Sequence, residues 1–166
     1  MISQLRSVLA ALVCAALSAC AATSALESQN KPLTARVARI YILRPGALPG
    51  AAMSANVRID GVEVGSVAIK SYLFVDRPAG RHKIEMSISG EFGTNEHEIE
   101  VAAGRTYYMV VNVRSAAAGF TGGGVIFIPG SNVGRPVGQS SGLGFSYLSE
   151  LDASAGAAMI SRLKAP

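Results

Sequence analysis

The feature that most restricts the possible folds of this chain is an alternation of apolar and polar residues. It has a period of two and occurs in two consecutive segments. The segment "HKIEMSIS" (82–89) places His82 on the same face as three large apolar residues and leaves the other face polar. The segment "TNEHEIEV" (94–101) repeats the pattern, with His97 on the apolar face and three glutamates opposite. A period of two is typical of a β-strand with one covered and one solvated face. Both segments therefore predict strands of an antiparallel sheet.

Turn residues divide the rest of the chain into further short strands. Asp60-Gly61 lies between two apolar runs and suits a type I′ hairpin turn, since both central residues of that turn need a positive φ. Pro78 and Gly80 mark the next turn. The segment "YYMVVNVR" (107–114) is apolar on both faces, which is typical of a central strand. About seven such strands predict a mainly β domain, either an antiparallel β-sandwich or a small barrel.

The C-terminal residues predict a helix that closes the domain. Asp152 is a favourable N-cap, and apolar residues recur at a spacing of four up to Leu163. Arg162 and Lys164 are expected in the last turn, where cations interact well with the helix dipole. Gly156 weakens this helix by about 1 kcal/mol relative to alanine. We therefore expect packing against the strands to hold it.

The N-terminus predicts export and a lipid anchor. Arg6 precedes an apolar run, and small residues follow, as in a secretory signal. The residues "LSAC", which end at Cys20, resemble the bacterial lipobox. The resemblance implies that residues 1–19 are removed as a lipoprotein signal peptide and that Cys20 carries fatty acids such as palmitate. The alternatives are an ordinary signal peptide and an uncleaved anchor, because residues 7–26 are long enough to span a bilayer.

Several expectations about location and partners depend on this leader. Ala21, rather than Asp, follows the cysteine, and by the sorting preference of enteric-type lipoproteins this implies the outer membrane, facing the periplasm. Cys14 leaves with the signal, so the exported domain contains no disulfide. The formal charge of +4 is mild. Nucleic acid is therefore not an expected partner; the membrane, through the anchor, and other envelope proteins are.

The same features divide the chain into three parts. Residues 1–19 are the signal peptide, and residues 20–34 are the lipidated N-terminus and a tether. Residues 35–166 form a single β-rich domain with a Gly-rich insert at 116–144. The insert has an apolar island, a candidate ligand or membrane contact made of Val125, Ile126, Phe127 and Ile128. A loose hairpin, a flap, a membrane-touching loop and an irregular excursion are all open for this insert.

The sequence predicts no catalytic residue, metal ligand or cofactor. A hydrolase needs a nucleophile, a base and an orienting acid, and His82 and His97 are the only imidazoles. The two could face each other across an antiparallel pair, but a metal site needs three or four ligands. The glutamates of the segment 94–101 point to the other face of their strand. Both histidines are therefore expected to be half-buried sheet residues.

Several segments together resemble an uncharacterised family of bacterial lipoproteins, the domain of unknown function 2846. They are "ARIYILRPG", "NVRIDGVEVGSV", "SYLFVDRPAGRHKIEMSI", "AGRTYYMVV" and "LSELDASAGAAMI". The stretch from "IDGVEVGSV" to "YLFVDRPAGRHKIEMSI" also looks like the PEGA module, a small β-sandwich unit of surface proteins, with Pro78-Ala79-Gly80-Arg81 in place of its hallmark residues. The resemblance implies a mainly β fold and an envelope location, and it brings no known catalytic residue.

Two functions therefore remain as expectations. The first is a membrane-anchored lipoprotein whose periplasmic β domain is a non-catalytic binding or scaffolding module. The second is an envelope protein that binds a small molecule or lipid through the Gly-rich apolar insert. An enzyme is not expected.

Overall fold

The computed structural model describes residues 28–46, 53–90, 92–113, 116–121, 124–128, 133–142 and 146–165, with the backbone alone for 116–121 and 124–128. The predicted signal peptide, Cys20 and most of the predicted tether lie outside this part of the chain. The described elements, in chain order, are β1 (Ala38–Arg44), β2 (Ala55–Ile59), β3 (Val62–Val67), β4 (Ser71–Arg77), β5 (Gly80–Ile88), β6 (Gly93–Val101), β7 (Thr106–Val113), β8 (Ala116–Thr121), β9 (Gly124–Ile128), β10 (Arg135–Val137), β11 (Gln139–Gly142), β12 (Ser146–Leu151) and helix α1 (Ala153–Ile160).

Ten of these strands form two five-stranded sheets. Sheet one has the order β10-β12-β7-β1-β4, and sheet two has the order β11-β6-β5-β2-β3. All the described pairs are antiparallel except β1 and β7, which run parallel. The prediction of about seven strands was low because β10 and β11 lie inside the Gly-rich insert. These two short strands follow each other directly, and the chain crosses from sheet one to sheet two between them.

The two sheets pack face to face, so the predicted β-sandwich is confirmed. Alternate residues of each strand point inward and form one continuous apolar core. The largest side chains in this core are less than 2% exposed, and they come from both sheets: Ile40, Ile42, Leu73, Met109 and Leu148 from sheet one, and Val57, Ile59, Ile84 and Met86 from sheet two. Burial of such side chains stabilises a fold by about 1.5–3 kcal/mol each.

The turn chemistry read from the sequence is present in the structure. Asp60 and Gly61 have φ values of 54° and 76°, and they join β2 to β3. The turn with Pro78 joins β4 to β5, and Gly80 has a φ of 134°. β5 and β6 show the predicted alternation of buried and exposed residues. β7, the strand predicted to be covered on both faces, lies in the centre of sheet one.

Helix α1 explains why β7 is apolar on both faces. Asp152 is its N-cap, as predicted, and accepts a hydrogen bond from the Ala155 N–H at 2.8 Å. The helix covers the outer face of sheet one, where it contributes to a second apolar cluster around Leu43, Tyr108 and Val110. None of the described helices is long and apolar enough to cross a membrane.

The helix ends earlier than expected. Its last residue is Ile160, and Ser161 is the C-cap, so Arg162 and Lys164 lie beyond it rather than in its last turn. The reason is a competing pairing with β4. The Lys164 N–H donates to the Lys70 carbonyl at 3.0 Å, and the Lys164 carbonyl accepts from the Tyr72 N–H at 3.0 Å. The chain therefore leaves the helix to pair with a sheet edge.

The strand directions give sheet one two distinct ends. β1 ends, and β4 begins, where Arg44 pairs with Ser71. Because β7 runs parallel to β1, β7 also ends on this side. We call this side the Arg44 end, and the opposite side, where β1 begins, the Ala38 end. The β8–β9 hairpin follows β7 and thus leaves the sandwich at the Arg44 end.

Candidate functional site

His82 connects two turns of the sandwich. Its Nδ1 lies 2.7 Å from Asp60 Oδ2, and its Nε2 lies 3.0 Å from the Pro78 carbonyl oxygen. The other Asp60 oxygen accepts the Lys83 N–H at 2.9 Å. Burial raises the pKa of the Asp60 carboxyl, but the hydrogen bonds from His82 and the Lys83 N–H outweigh this effect, and the pKa is lowered. Both neighbours of the ring are hydrogen-bond acceptors, so the imidazolium form of His82 can donate to both and join the β2–β3 turn to the β4–β5 turn.

His97 is not the partner of His82. The register of β5 and β6 places His82 opposite Ile99, and His97 opposite Ile84. The two histidines share a face but are offset by two residues, because the loop between the strands sets this register. Burial lowers the pKa of His97. Among the described residues, no group of three His, Cys, Asp or Glu side chains converges on a position for a metal ion.

The N-terminal end of the described chain is fastened to the outer face of sheet one. Arg39 donates to both Asp76 oxygens, at 2.8 and 3.0 Å, and to the Lys31 carbonyl at 2.9 Å. Lys31 Nζ lies 3.3 Å from Asp76. The Arg39 guanidinium lies 3.8 Å from the centroid of the Phe74 ring. Residue 31, inside the predicted tether, is therefore part of a packed ionic cluster.

The charges of this cluster are well compensated although they are buried. The side chains of Arg39 and Asp76 are each 8% exposed. Burial alone would raise the pKa of Asp76, but the hydrogen bonds from Arg39 and Lys31 hold it below its ordinary value. The Asp76 bond is also the main cause of the raised pKa of Arg39. A bidentate arginine–carboxylate pair fixes geometry as well as charge.

Gln29 pairs with the backbone of an edge strand. Its Oε1 accepts the Phe74 N–H at 2.7 Å, and its Nε2 donates to the Phe74 carbonyl at 3.0 Å. The side-chain amide thus takes the place of a neighbouring strand at the edge of β4. From Gln29 beside Phe74 to Lys31 beside Asp76, the segment runs parallel to β4. Its N-terminal direction, toward the predicted anchor, is therefore toward the Arg44 end.

The outer face of sheet two is a broad charged surface. Direct cross-strand partners bring together Arg58 with Glu63 and Glu85, and Lys83 with Glu98. Lys83 Nζ lies 3.0 Å from Glu85 and 2.9 Å from Glu96, and these bonds raise its pKa. We call this surface the acidic face, and its charged residues are Glu63, Glu85, Glu96, Glu98, Glu100, Arg58, Arg81 and Lys83. Its five carboxylates outnumber its three cations, although the whole chain is positively charged.

Shallow grooves cross the acidic face, and the described helix does not cover them. One groove has a volume of about 390 Å³ and is lined by carboxylates of β3, β5 and β6, together with Arg58. A second, of about 420 Å³, runs along β6 beside His97. The two outer faces thus differ: α1 packs on sheet one, while sheet two presents charged side chains to solvent.

The sequence-predicted contact residues Val125, Ile126, Phe127 and Ile128 all belong to β9. Pairs such as Ala116 with Ile128 and Ala118 with Ile126 join it to β8 in an antiparallel hairpin. A hairpin is therefore the backbone form of this part of the insert. Cys20, the predicted lipidation site, lies outside the described residues.

Sequence reasoning missed the residues that hold the N-terminal segment. Gln29 and Lys31 lie in a polar stretch that reads as a tether, and nothing in its pattern shows that it lies along β4. The available signal was Asp76, an acid in an otherwise apolar and aromatic strand. A buried acid requires a cationic partner, and Arg39 alternates with apolar residues in β1.

The fold and these surfaces define a mainly β domain, a two-sheet sandwich with a C-terminal helix on one outer face. The model of the protein family of unknown function DUF2846 matches residues 34–124, more than half of the chain. The chain belongs to this family, as the resemblance predicted. The match includes β1 to β8 and ends at the first residue of β9. Searches of curated proteins and of solved structures each found no match.

Proposed function

We propose that this chain is a membrane-anchored bacterial lipoprotein whose β-sandwich acts in the periplasm as a non-catalytic binding or scaffolding module. The observation that carries the proposal is the difference between the two outer faces. Sheet one is covered by α1 and bound by the N-terminal segment, whereas the acidic face is charged and open. Charged, complementary surfaces steer association and select partners. The proposed partner is an envelope protein with a basic surface.

The arrangement of the histidines supports a non-catalytic role. A general base needs a ring nitrogen within hydrogen-bond reach of a substrate proton. In His82, Asp60 and the Pro78 carbonyl occupy both ring nitrogens. His97 lies opposite Ile84 in the β5–β6 pair; Glu150 and Glu98 act on it electrostatically, but no hydrogen bond joins its ring to an acid among the described residues. The hydrogen bonds of the His82 ring thus have a structural role, since they connect parts of the sheet.

The fastened N-terminal segment supports the anchor. Cys20 is the proposed lipidation site, with palmitate among its acyl chains, and the proposed location is the outer membrane. The nine residues from Cys20 to Gln29 span at most roughly 30 Å when fully extended. The sandwich would therefore stay within about its own diameter of the bilayer surface. Such a short link limits which envelope components the acidic face can reach.

Metabolic labelling tests the anchor. Cells that express the full chain are grown with radioactive or clickable palmitate, and the protein is recovered from membranes. Cys20→Ala is expected to abolish the label, while Cys14→Ala, which changes a cysteine of the proposed leader, is expected to keep it. An unlabelled wild-type protein would contradict the anchor.

Crosslinking tests the acidic face. A photo-crosslinking residue at Glu98, which is 67% exposed, is expected to capture a partner in intact envelopes. The same residue at Ala103, in an exposed turn outside the acidic face, is the control. Lysine at positions 96 and 100 should remove the Glu98 product. Equal products from Glu98 and Ala103 would count against a specific surface.

A second candidate function, lipid or small-molecule binding through the insert, is favoured by the β8–β9 hairpin. Within the described residues these strands pair only with each other. Residues 115–134 contain no charged residue, and an isolated hairpin is marginally stable in water. We expect replacement of residues 117–127 by a short Gly-Ser link to reduce binding to lipid vesicles. Unchanged vesicle binding would remove this candidate.

A further inference from the structure

A groove with an apolar floor and a cationic rim lies beside the C-terminal end of α1. It has a volume of about 400 Å³. Its floor consists of Pro45, Met159, Leu163 and two alanines of α1, and its rim consists of Lys70 and Arg162. None of the described residues that line it is acidic. An apolar floor below two cations is complementary to an amphiphile with an anionic head.

Among the described residues, the cations at this groove have no acidic partner. Lys70, Arg162 and Lys164 are all exposed, and none of them forms an ion pair with another described residue. By contrast, Arg39 and Lys83 each contact carboxylates. Three neighbouring positive charges without a counter-charge favour an external anion.

The backbone that carries these cations is fixed by hydrogen bonds. Lys70 has a φ of 60°, a left-handed conformation that is unusual for lysine. Its N–H donates to the Arg44 carbonyl at 2.8 Å, and its own carbonyl accepts from the Lys164 N–H at 3.0 Å. The turn that carries Lys70 is thus bonded to both β1 and the C-terminal segment. The backbone positions of Lys70 and Lys164 are therefore fixed relative to each other.

The position of the groove indicates where its anionic ligand is found. Lys70 and Pro45 flank the pair of Arg44 and Ser71, so the groove lies at the Arg44 end of sheet one. The β8–β9 hairpin leaves the sandwich at this end, and the N-terminal segment runs toward it. Under the proposed function, this end faces the membrane that holds the anchor.

We infer that the groove binds the phosphate head group of an anionic phospholipid in that membrane. Lys70 and Arg162 contact the phosphate oxygens, Lys164 adds long-range attraction, and the apolar floor covers the glycerol and upper acyl carbons. Surface binding of this kind combines buried apolar area with attraction to anionic lipids. The inference rests on the proposed anchor for its orientation. The groove therefore fixes which side of the sandwich faces the bilayer.

The test uses the full-length protein in lipid nanodiscs. A fluorophore is attached at Ala157→Cys, an exposed position on α1 that does not line the groove, and spin-labelled lipids quench it. Quenching is expected to be several-fold stronger in phosphatidylcholine mixed with phosphatidylglycerol than in phosphatidylcholine alone. Lys70→Gln with Arg162→Gln should remove this difference.

Matched controls separate the groove from general charge. Arg36→Gln with Arg105→Gln removes the same two charges at the Ala38 end and should preserve the lipid dependence. An equal loss of the lipid-dependent quenching in both double variants would overturn the inference that the groove binds the lipid. A label at Ala103→Cys, also near the Ala38 end, should show little quenching; strong quenching there would overturn the orientation.

Two further experiments distinguish failure of the phospholipid assignment from failure of the proposed anchor. In the first, inorganic phosphate is added to protein in phosphatidylcholine nanodiscs, and chemical modification of Lys70 and Arg162 is measured. If inorganic phosphate protects these residues as well as phosphatidylglycerol does, the inference that the bound phosphate belongs to a lipid is wrong. Palmitate labelling decides the anchor independently. A labelled protein without any dependence on anionic lipid would overturn the groove and leave the proposed function standing.

Discussion

Gly156 is the residue of α1 that lies directly against the Tyr108 ring of sheet one. It is the buried residue of the helix, and a Cβ placed on it would overlap the Tyr108 ring. Tyr108 in turn stacks on Tyr41, with ring centroids 5.4 Å apart and an angle of 11° between the planes. Glycine lowers the intrinsic helix propensity at this position, but its missing side chain allows the helix to contact the aromatic surface directly.

Gly156→Ala is expected to lower the free energy of unfolding by about 1–3 kcal/mol, since overpacking forces the helix from the sheet. Ala157→Gly, at the exposed neighbouring position, is the control for propensity and should lower it by about 1 kcal/mol. Urea unfolding of both variants measures the difference. A more stable Gly156→Ala variant would show that the helix does not touch Tyr108.

Asp76→Asn is expected to lower the free energy of unfolding by about 3–5 kcal/mol, because it leaves Arg39 buried without its counter-charge. Glu98→Gln is the matched control: its partner Arg81 is exposed and 3.9 Å away, so the loss should be below about 1 kcal/mol. Urea unfolding at neutral pH measures both. Equal losses of unfolding free energy in the two variants would show that burial does not determine the contribution of the ion pair.

The pH dependence follows from the same carboxylate. The folded-state pKa of Asp76 is lowered from the ordinary value of 3.8. Its ion pair therefore contributes stability above that pH and loses it as the pH falls through the folded-state pKa. The stability gap between the wild type and Asp76→Asn should narrow with acidification below pH 3.8. A gap that widens would contradict this sign.

Residues of local significance were the easiest to predict from sequence. The turn roles of Asp60-Gly61 and Pro78 and the cap role of Asp152 depend on their own backbone or on atoms a few residues away, so they follow from local chemistry; the bonds of Asp60 to His82 and Lys83 do not. Gly156 appeared only as a weak helix position, because its use depends on Tyr108, which is distant in sequence. The offset of His82 and His97 was also beyond sequence reasoning, since a shift in register leaves the alternation unchanged.

At the scale of elements, the edge of β4 is protected along its length. An unpaired edge presents backbone groups to other chains and favours aggregation. Here the Tyr72 N–H donates to the Lys164 carbonyl, Gln29 satisfies Phe74, and Arg77 Nη1 donates to the Asp76 carbonyl at 2.9 Å. Segments from both ends of the described chain thus cover one strand.

Gln29→Ala is expected to lower the free energy of unfolding by about 1 kcal/mol, since two backbone groups of Phe74 lose their partner. It should also raise self-association, measured by sedimentation at high protein concentration. Ser28→Ala, an exposed neighbour, should change neither quantity. Unchanged stability and sedimentation for Gln29→Ala would contradict edge protection.

The existence of most strands was predictable, but their order was not. The parallel pairing of β1 with β7 joins residues that are 67 positions apart in the chain, as Arg39 and Thr106 are. Turn signals show where a strand ends but carry no information on such distant pairing. β10 and β11 were missed because three or four residues in a Gly-rich segment are too short for a periodic pattern. Their strand form depends on pairing with β12 and β6.

At the scale of the molecule, the chain on either side of the β8–β9 hairpin is integrated with the sandwich. The insert follows β7 directly, and Val133, on its return, is held by Asn112. The Asn112 amide donates to the Val133 carbonyl at 2.8 Å and accepts the Val133 N–H at 3.2 Å. The β8–β9 hairpin lies between these points, and its described strands pair only with each other. The sandwich and the hairpin are therefore separable.

Replacement of residues 117–127 by a Gly-Ser link should change the free energy of unfolding by less than about 0.5 kcal/mol, as for changes away from packed features. Asn112→Ala, which releases Val133, should lower it by about 1–3 kcal/mol. Urea unfolding measures both. A large loss from the hairpin replacement would show that the hairpin packs on the sandwich.

The course of the N-terminal segment along β4 also has a mechanical consequence. Tension from the proposed anchor would act nearly parallel to β4, across the hydrogen bonds of Gln29 and the bond from Arg39 to the Lys31 carbonyl. Bonds loaded in shear share the force, whereas bonds loaded by peeling break one after another. The load would then pass from β4 to β1 and β7 in the centre of sheet one. Movement of the membrane relative to a bound partner would thus be resisted by the inner strands of sheet one.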